Sequence, residues 1–128
     1  MSAESTTLYA QLGGAPALAA LVDRFYDLMD ADPAFAALRA LHAADLVPMR
    51  AKLADWLCGW LGGPPRYFER PDAVCIGAAH SGFAIDAAMR DQWLACMFRA
   101  LDETGVAAGV QARLRPPLAA LADALRNA

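Results

Sequence analysis

Residues 78–93 read AAHSGFAIDAAMRDQW, a glycine- and alanine-rich stretch that runs into the start of a helix. Asp86 is the predicted cap of that helix, and Trp93 lies on its apolar side. The preceding residues 62–85 contain several glycines and prolines and little helical periodicity, which predicts a loop-like insertion that holds His80. The sequence therefore raises the question of what a lone imidazole does in such a loop.

The first third of the chain has the three- and four-residue apolar spacing of amphipathic helices. A short helix capped by Thr6 or Thr7 is predicted to stop at Gly13 and Gly14. A longer helix follows from residue 16, and its apolar stripe consists of Leu18, Leu21, Val22, Phe25, Leu28 and Met29.

The remaining segments are also predicted to be helical. Asp32–Pro33 begins a brief helix, and Asp45 caps the next one, which the GGPP stretch at 62–65 ends. A last helix covers roughly 108–126, and Pro116–Pro117 either delays its start or kinks it. The chain is therefore predicted to be all-α.

The composition indicates one domain over residues 1–128 with surplus apolar surface. Hydrophobic residues make up 58% of the chain, against about 45–50% in ordinary domains. The 11 basic and 14 acidic residues give a net charge of −3, which offers no electrostatic footprint for nucleic acid or an anionic membrane. Something apolar is expected to fill the excess.

Cysteine usage and hydropathy predict a reducing, cytoplasmic setting. Cys58, Cys75 and Cys96 are odd in number and far apart, unlike a disulfide framework or a paired metal motif. The sequence starts without a signal-peptide pattern, and no apolar run reaches the roughly 18 residues of a membrane span.

His80 is either a surface-loop imidazole or a metal ligand. A closed zinc site needs four protein ligands, and Cys75 has no further partner close in sequence. A haem needs only one histidine, and without a CxxCH motif it would be held non-covalently. Tyr26 and Trp93 are either ordinary boundary and core side chains or donors to an oxygen ligand.

Five stretches together resemble the group II truncated (2-on-2) haemoglobins over residues 8 to about 105. They read LYAQLGGAPAL, DRFYDLM, KLADWLCGWLGGPPRYFER, HSGFAI and MRDQWLACM. The resemblance implies a globin-like 2-on-2 helical sandwich of two helix pairs around a b-type haem, with a very short first helix.

The resemblance also implies roles for individual residues. His80 would be the proximal iron ligand, with Tyr26 and Trp93 as distal hydrogen-bond donors. His42 would either hydrogen bond to Tyr26 or the ligand, or reach the iron as a sixth ligand. Further haem contacts are implied for Met49, Leu53, Trp56, Leu57, Tyr67, Phe83, Ile85 and Met97.

The implied function is binding of dioxygen, and of nitric oxide, carbon monoxide or peroxide, with slow release. Slow release favours redox chemistry on nitric oxide or peroxide, or sensing, over bulk oxygen delivery. Nitric oxide dioxygenase or weak peroxidase activity would need an unidentified reductase. The chain is expected to be a monomer or a homodimer.

The sequence departs from the family before His80, where other members carry basic residues that help to hold the haem propionates. Those positions read Ala73, Cys75, Gly77 and Ala79. Propionate anchoring is then expected from Lys52, Arg66, Arg70 or Tyr67. The alternative function is a globin-fold sensor or binding module in which haem is weakly held or lost.

Overall fold

The computed structural model describes residues 7–128 as helices and connecting turns. The α-helices in chain order are α1 (Leu8–Leu12), α2 (Gly14–Ala31), α3 (Ala36–Ala40), α4 (Val47–Trp60), α5 (Ile76–His80), α6 (Ala87–Glu103) and α7 (Ala108–Ala124). Two 3₁₀ turns, Pro33–Phe35 and Arg66–Glu69, precede α3 and α5. Within the described residues, no helix is long and apolar enough to cross a membrane.

Local capping explains where several helices begin. Thr7 caps α1 by accepting a hydrogen bond from the Ala10 amide at 3.1 Å, whereas Thr6 lies outside the described residues. Asp86 caps α6 in the same way, by accepting from the Met89 amide at 2.8 Å. Helix α2 starts at Gly14 rather than at residue 16, because a proline at position 16 fits a first helical turn.

The structure corrects two sequence predictions and excludes one of two alternatives for the last helix. The loop predicted over residues 62–85 contains α5, whose last residue is His80. Asp45 does not cap α4, since Leu46 is the residue before the helix and Asp45 instead accepts from the Val47 amide at 3.0 Å. The prolines do not delay α7, which runs from Ala108 through both of them.

Helix α2 lies at the centre of the fold, where it packs against α4 and α6, and α6 packs in turn against α7. The apolar faces of these helices form one core, in which Phe25, Met29, Met97 and Leu101 have 1% or less of their surface exposed. Burying side chains of this size contributes about 1.5–3 kcal/mol each, so the packing of α2 and α6 dominates stability. The core leaves one flank of α2, α4 and α6 open to a cavity.

Candidate functional site

A cavity of about 490 Å³ is lined by side chains from α2 to α7 and from the segments between them. Its walls are mostly aliphatic and aromatic. The polar side chains on the walls are Tyr26, His42, Lys52, Tyr67, Asp72, His80, Arg90 and Trp93. An apolar cavity of this volume with a few converging polar groups is typical of a small-molecule or cofactor site.

His80 reaches this cavity from the end of the short helix α5. Cys75 begins that helix, and its Sγ accepts a hydrogen bond from the Ala78 amide at 3.4 Å. His80 Nδ1 lies 2.7 Å from the carbonyl oxygen of Ile76, one turn earlier. Because a carbonyl can only accept, Nδ1 carries the proton and Nε2 keeps a free lone pair. A histidine held in this way is prepared to bind a metal through Nε2.

Tyr26 and Trp93 bring two hydrogen-bond donors to the same cavity. Phe25 packs edge-to-face against both rings, with centroids 5.0 Å from Tyr26 and 5.6 Å from Trp93. Neither the Tyr26 hydroxyl nor the Trp93 indole N–H makes a hydrogen bond to any of residues 7–128. Among the described residues no fully buried side-chain donor lacks a partner, so both donors are accessible from the cavity. The pair therefore favours a ligand with acceptor atoms.

Burial keeps the side chains of Tyr26 and His42 uncharged. Tyr26 is 2% exposed, and this burial raises the pKa of its hydroxyl. His42 packs edge-to-face on the Tyr26 ring, with centroids 5.9 Å apart. Burial lowers the pKa of His42 despite its hydrogen bond to Leu38, and the charges of Arg39 and His80 lower it further. Tyr26 therefore stays a neutral donor and His42 a neutral imidazole at physiological pH.

Charged residues lie at the part of the cavity formed by α4 and the turn after Arg66–Glu69. Lys52 Nζ lies 3.3 Å from Asp72 Oδ2, and Arg70 Nε lies 3.2 Å from the other oxygen of the same carboxylate. The Tyr67 hydroxyl donates to the Val74 carbonyl at 3.0 Å. These contacts tie the chain before α5 to α4, and they occupy groups that could otherwise meet an anionic ligand.

A second set of hydrogen bonds fixes the segment after His80. Asn127 Nδ2 donates to the Phe83 carbonyl at 2.7 Å, and Asn127 Oδ1 accepts from the Ile85 amide at 2.8 Å. The Asn127 amide also donates to the Ile85 carbonyl at 3.0 Å. Phe83 and Ile85 both line the cavity, so residues after α7 hold part of its wall.

Comparison with known proteins identifies the family to which this chain belongs. Residues 7–127 match the model of the bacterial-like globin family. The group 2 truncated haemoglobin YjbI of Bacillus subtilis is 34% identical over 93 residues, which are 73% of this chain and 68% of that protein. The chain belongs to the group II truncated haemoglobins. Membership of this family implies that the chain binds haem and diatomic ligands.

Solved structures of truncated haemoglobins confirm the all-α globin-like 2-on-2 fold. The group II 2-on-2 haemoglobin from Agrobacterium tumefaciens has a TM-score of 0.90 and 42% identity, and the match covers 99% of this chain and 98% of that one. A truncated oxygen-avid haemoglobin from Bacillus subtilis has a TM-score of 0.86 and 30% identity, covering 95% and 100%.

In this truncated haemoglobin, the side chains that the sequence assigned to haem contact come together around the cavity, with the exceptions of Arg66, Arg70 and Met97. The residues on the cavity are Tyr26, His42, Met49, Lys52, Leu53, Trp56, Leu57, Tyr67, His80, Phe83, Ile85 and Trp93. Arg66 is exposed on its 3₁₀ turn and does not line the cavity. Met97 is 0% exposed and lies in the core, because α6 turns that position toward the other helices.

Sequence reasoning missed several wall residues of the truncated haemoglobin pocket. They are Leu38, Leu41, Ala43, Asp72, Val74, Ile76, Ala79, Met89, Arg90, Leu121, Ala122 and Leu125. Leu121 and Leu125 stand out in the sequence as part of the apolar stripe of the last helix, but that stripe does not reveal which neighbour it faces. Arg70, a predicted propionate anchor, does not line the cavity and pairs with Asp72 and with Asp55, at 2.7 Å.

Proposed function

We propose that this truncated haemoglobin holds a b-type haem non-covalently, with His80 Nε2 as the iron ligand, and retains a diatomic ligand for redox chemistry or sensing. One observation carries the proposal. His80 donates its Nδ1 proton to Ile76, which leaves Nε2 free on a cavity that also contains the unpartnered donors of Tyr26 and Trp93.

The cavity suits a large planar apolar group that has a polar edge. Aliphatic and aromatic side chains form most of the wall, and the cationic side chains Lys52 and Arg90 also line it. The haem iron would supply reversible binding of a diatomic ligand. The surrounding side chains would exclude water from the ligand, and Cys75 would play no covalent part because it does not line the cavity.

Hydrogen bonds from Tyr26 and Trp93 would retain the bound diatomic ligand. A diatomic oxygen ligand that gains negative charge accepts hydrogen bonds strongly, and bonds of this kind contribute about 1.5–3 kcal/mol each. The raised pKa of Tyr26 keeps its hydroxyl protonated and able to donate. His42 uses its Nδ1 proton on Leu38, so its Nε2 is left to accept from Tyr26 or from a protonated ligand such as peroxide.

Slow release favours reaction of the held oxygen with nitric oxide, reduction of peroxide, or sensing over bulk delivery. The oxygen-avid relative from Bacillus subtilis supports strong retention. The partner of His80 Nδ1 is a main-chain carbonyl rather than a carboxylate, so the ring is less electron-donating and peroxidase activity would be modest. A cytoplasmic reductase, not encoded in this chain, would supply electrons.

A second function is favoured by the ion pairs that basic side chains near the cavity already make within the chain. Lys52 and Arg70 are paired with Asp72, and the residues before His80 lack basic side chains. Weak anchoring of the propionates would give a globin-fold sensor or binding module that exchanges or lacks haem. The two functions predict different visible spectra.

The visible absorption spectrum of the purified protein tests the proposal. We expect a Soret band that is lost in His80→Ala and kept in His42→Ala, a matched control because both imidazoles line the cavity and donate Nδ1–H to a main-chain carbonyl. A Soret band of unchanged position and intensity in His80→Ala would overturn the role of His80. A colourless protein after haem supplementation would favour the second function.

A further inference from the structure

We propose that Gln92 is a positioning residue that fixes the tautomer and orientation of His42 through the main chain of Leu38. The inference rests on the proposed function, since it assigns His42 a defined role beside the bound ligand. Gln92 Oε1 accepts a hydrogen bond from the Leu38 amide at 3.1 Å. His42 Nδ1 lies 2.9 Å from the carbonyl oxygen of the same Leu38. The side chains of Gln92 and His42 therefore hydrogen bond to the amide and to the carbonyl of the same residue, Leu38.

The hydrogen bond from Gln92 compensates for a weak start of α3. Helix α3 has only five residues, and no side chain caps its N-terminus from within the helix. Leu38 lies in the first turn, where amides have no carbonyl one turn earlier in the helix to bind. A glutamine on α6 supplies that acceptor, and the Leu38 side chain, 3% exposed, anchors the same residue in the core. Leu38 is thus fixed on both sides, by α6 and by the core.

The position of the Leu38 carbonyl decides which nitrogen of His42 carries the proton. While the carbonyl is in place, Nδ1 holds the proton and Nε2 is left as the acceptor. His42 lines the cavity and packs edge-to-face on Tyr26, so the ring is held where Nε2 can accept a hydrogen bond from the hydroxyl or a ligand. If Leu38 moves, the ring can adopt the other tautomer and donate from Nε2 instead.

Gln92 also precedes Trp93, one of the two unpartnered donors, on α6. A shift of α6 that moves the Trp93 indole would act on Leu38 through the neighbouring side chain. The arrangement couples the donor on α6 to the imidazole after α3, with no direct contact required between Trp93 and His42.

The test compares Gln92→Met, which removes the acceptor at similar side-chain length, with Gln92→Glu, which keeps an oxygen there. Two-bond ¹H–¹⁵N NMR spectra report the tautomer of each histidine, in the ferrous carbon monoxide form if the protein carries haem and in the isolated protein if it does not. We expect a single Nδ1–H tautomer of His42 in the wild type, a mixture in Gln92→Met, and recovery in Gln92→Glu. In the carbon monoxide form, the C–O stretching band should split in Gln92→Met and be single in Gln92→Glu.

His80 provides the internal control, because its Nδ1–H donates to Ile76 in α5, whereas the acceptor of His42 is Leu38 in α3. Unchanged His42 shifts in Gln92→Met overturn the inference. Equal changes at His42 and His80 also overturn it, because they indicate general loosening. If Gln92→Met does not fold, Gln92→Asn shortens the same side chain by one methylene and must give the same mixture. Failure of the proposed function would appear separately, as a missing Soret band.

Discussion

Lys52 Nζ lies 3.3 Å from Asp72 Oδ2, so the α4 cation that was predicted to hold a haem propionate is already paired with a carboxylate of this chain. The pairing with Lys52, and then with Arg70, holds the pKa of Asp72 below its usual range. Both Lys52 and Asp72 line the cavity. A propionate would therefore have to compete with Asp72 for the ammonium group, and Asp72 becomes a determinant of how tightly haem is held.

Replacing Asp72 by Asn should free Lys52 and slow the loss of haem. An exposed ion pair contributes about 0–1 kcal/mol, so the rate of haem transfer to excess apomyoglobin should fall by up to about fivefold at low salt. Asp55→Asn is the control, because it removes the same charge from an Arg70 partner that does not line the cavity. Faster haem loss from Asp72→Asn, or an equal effect of Asp55→Asn, would contradict the competition.

Replacing Asn127 should loosen the wall that follows His80. Its side chain bonds to both Phe83 and Ile85, and a net hydrogen bond contributes about 0.5–1.5 kcal/mol. Hydrogen exchange of the Ile85 amide should accelerate about twofold to tenfold in Asn127→Ala. Haem transfer to apomyoglobin should accelerate as well.

Asn127→Asp separates the two hydrogen bonds of that side chain. It keeps the acceptor for the Ile85 amide and loses the donor to Phe83, so its exchange rate should lie between those of the wild type and Asn127→Ala. Equal exchange of Ile85 in all three proteins would show that the main-chain bonds from Asn127 and Ala128 to the Ile85 carbonyl are sufficient to hold the segment.

The sequence was sufficient to predict the long helices and insufficient for the short one that holds His80. Helices α2 and α6 have several turns of apolar periodicity, and Asp86 marks a start that the structure confirms. Helix α5 has five residues, too few for a periodic signal, and its cap is a cysteine. Its position depends on contacts such as the hydrogen bond from Tyr67 to Val74, which no periodic pattern in the sequence reveals.

The residues of the candidate site also differ in how far the sequence could identify them. His80 is a lone imidazole in an apolar setting, so it could be named as a candidate from its chemistry. Tyr26 and Trp93 were assigned to the site by the resemblance to the group II truncated haemoglobins. Asp72 is an ordinary charged residue in a turn, and only the folded chain brings it to Lys52. Met97 shows the opposite error, because a residue four positions after Trp93 was assigned to the cavity and lies in the core.

The lowered pKa of His42 gives the stability of the protein a pH dependence. Since the folded pKa is below the ordinary value, the unfolded chain binds more protons as the pH falls through that value toward the folded one. The free energy of unfolding should therefore decrease from about pH 7 to about pH 5, and His42→Phe should lose less over that range. Urea unfolding followed by tryptophan fluorescence measures the difference.

The shifted carboxylates Asp32 and Glu103 do not contribute to the change in that window. The pKa values of Asp32 and Glu103 are held below their ordinary range by hydrogen bonds, so the stability that they contribute is lost only at more acidic pH. Phenylalanine keeps an aromatic ring against Tyr26, which limits the loss of packing. Parallel pH profiles of the wild type and His42→Phe would show that His42 titrates normally.

Removing either distal donor should speed the release of oxygen. The Tyr26 hydroxyl and the Trp93 indole have no partner among residues 7–128, so each is free to donate to a ligand. Losing a charge-assisted hydrogen bond of about 1.5–3 kcal/mol raises a dissociation rate roughly tenfold to a hundredfold. Stopped-flow measurements should show this increase for Trp93→Phe, and a comparable or smaller one for Tyr26→Phe.

Trp60→Phe provides the control for these rates, because Trp60 stacks on Trp56 at 5.8 Å but does not itself line the cavity. It makes the same chemical change in the same protein, so its oxygen dissociation rate should match that of the wild type. If neither Tyr26→Phe nor Trp93→Phe changes the rate, retention does not come from these donors. Equal acceleration in Trp60→Phe and Trp93→Phe would instead indicate that loss of tryptophan packing opens the cavity.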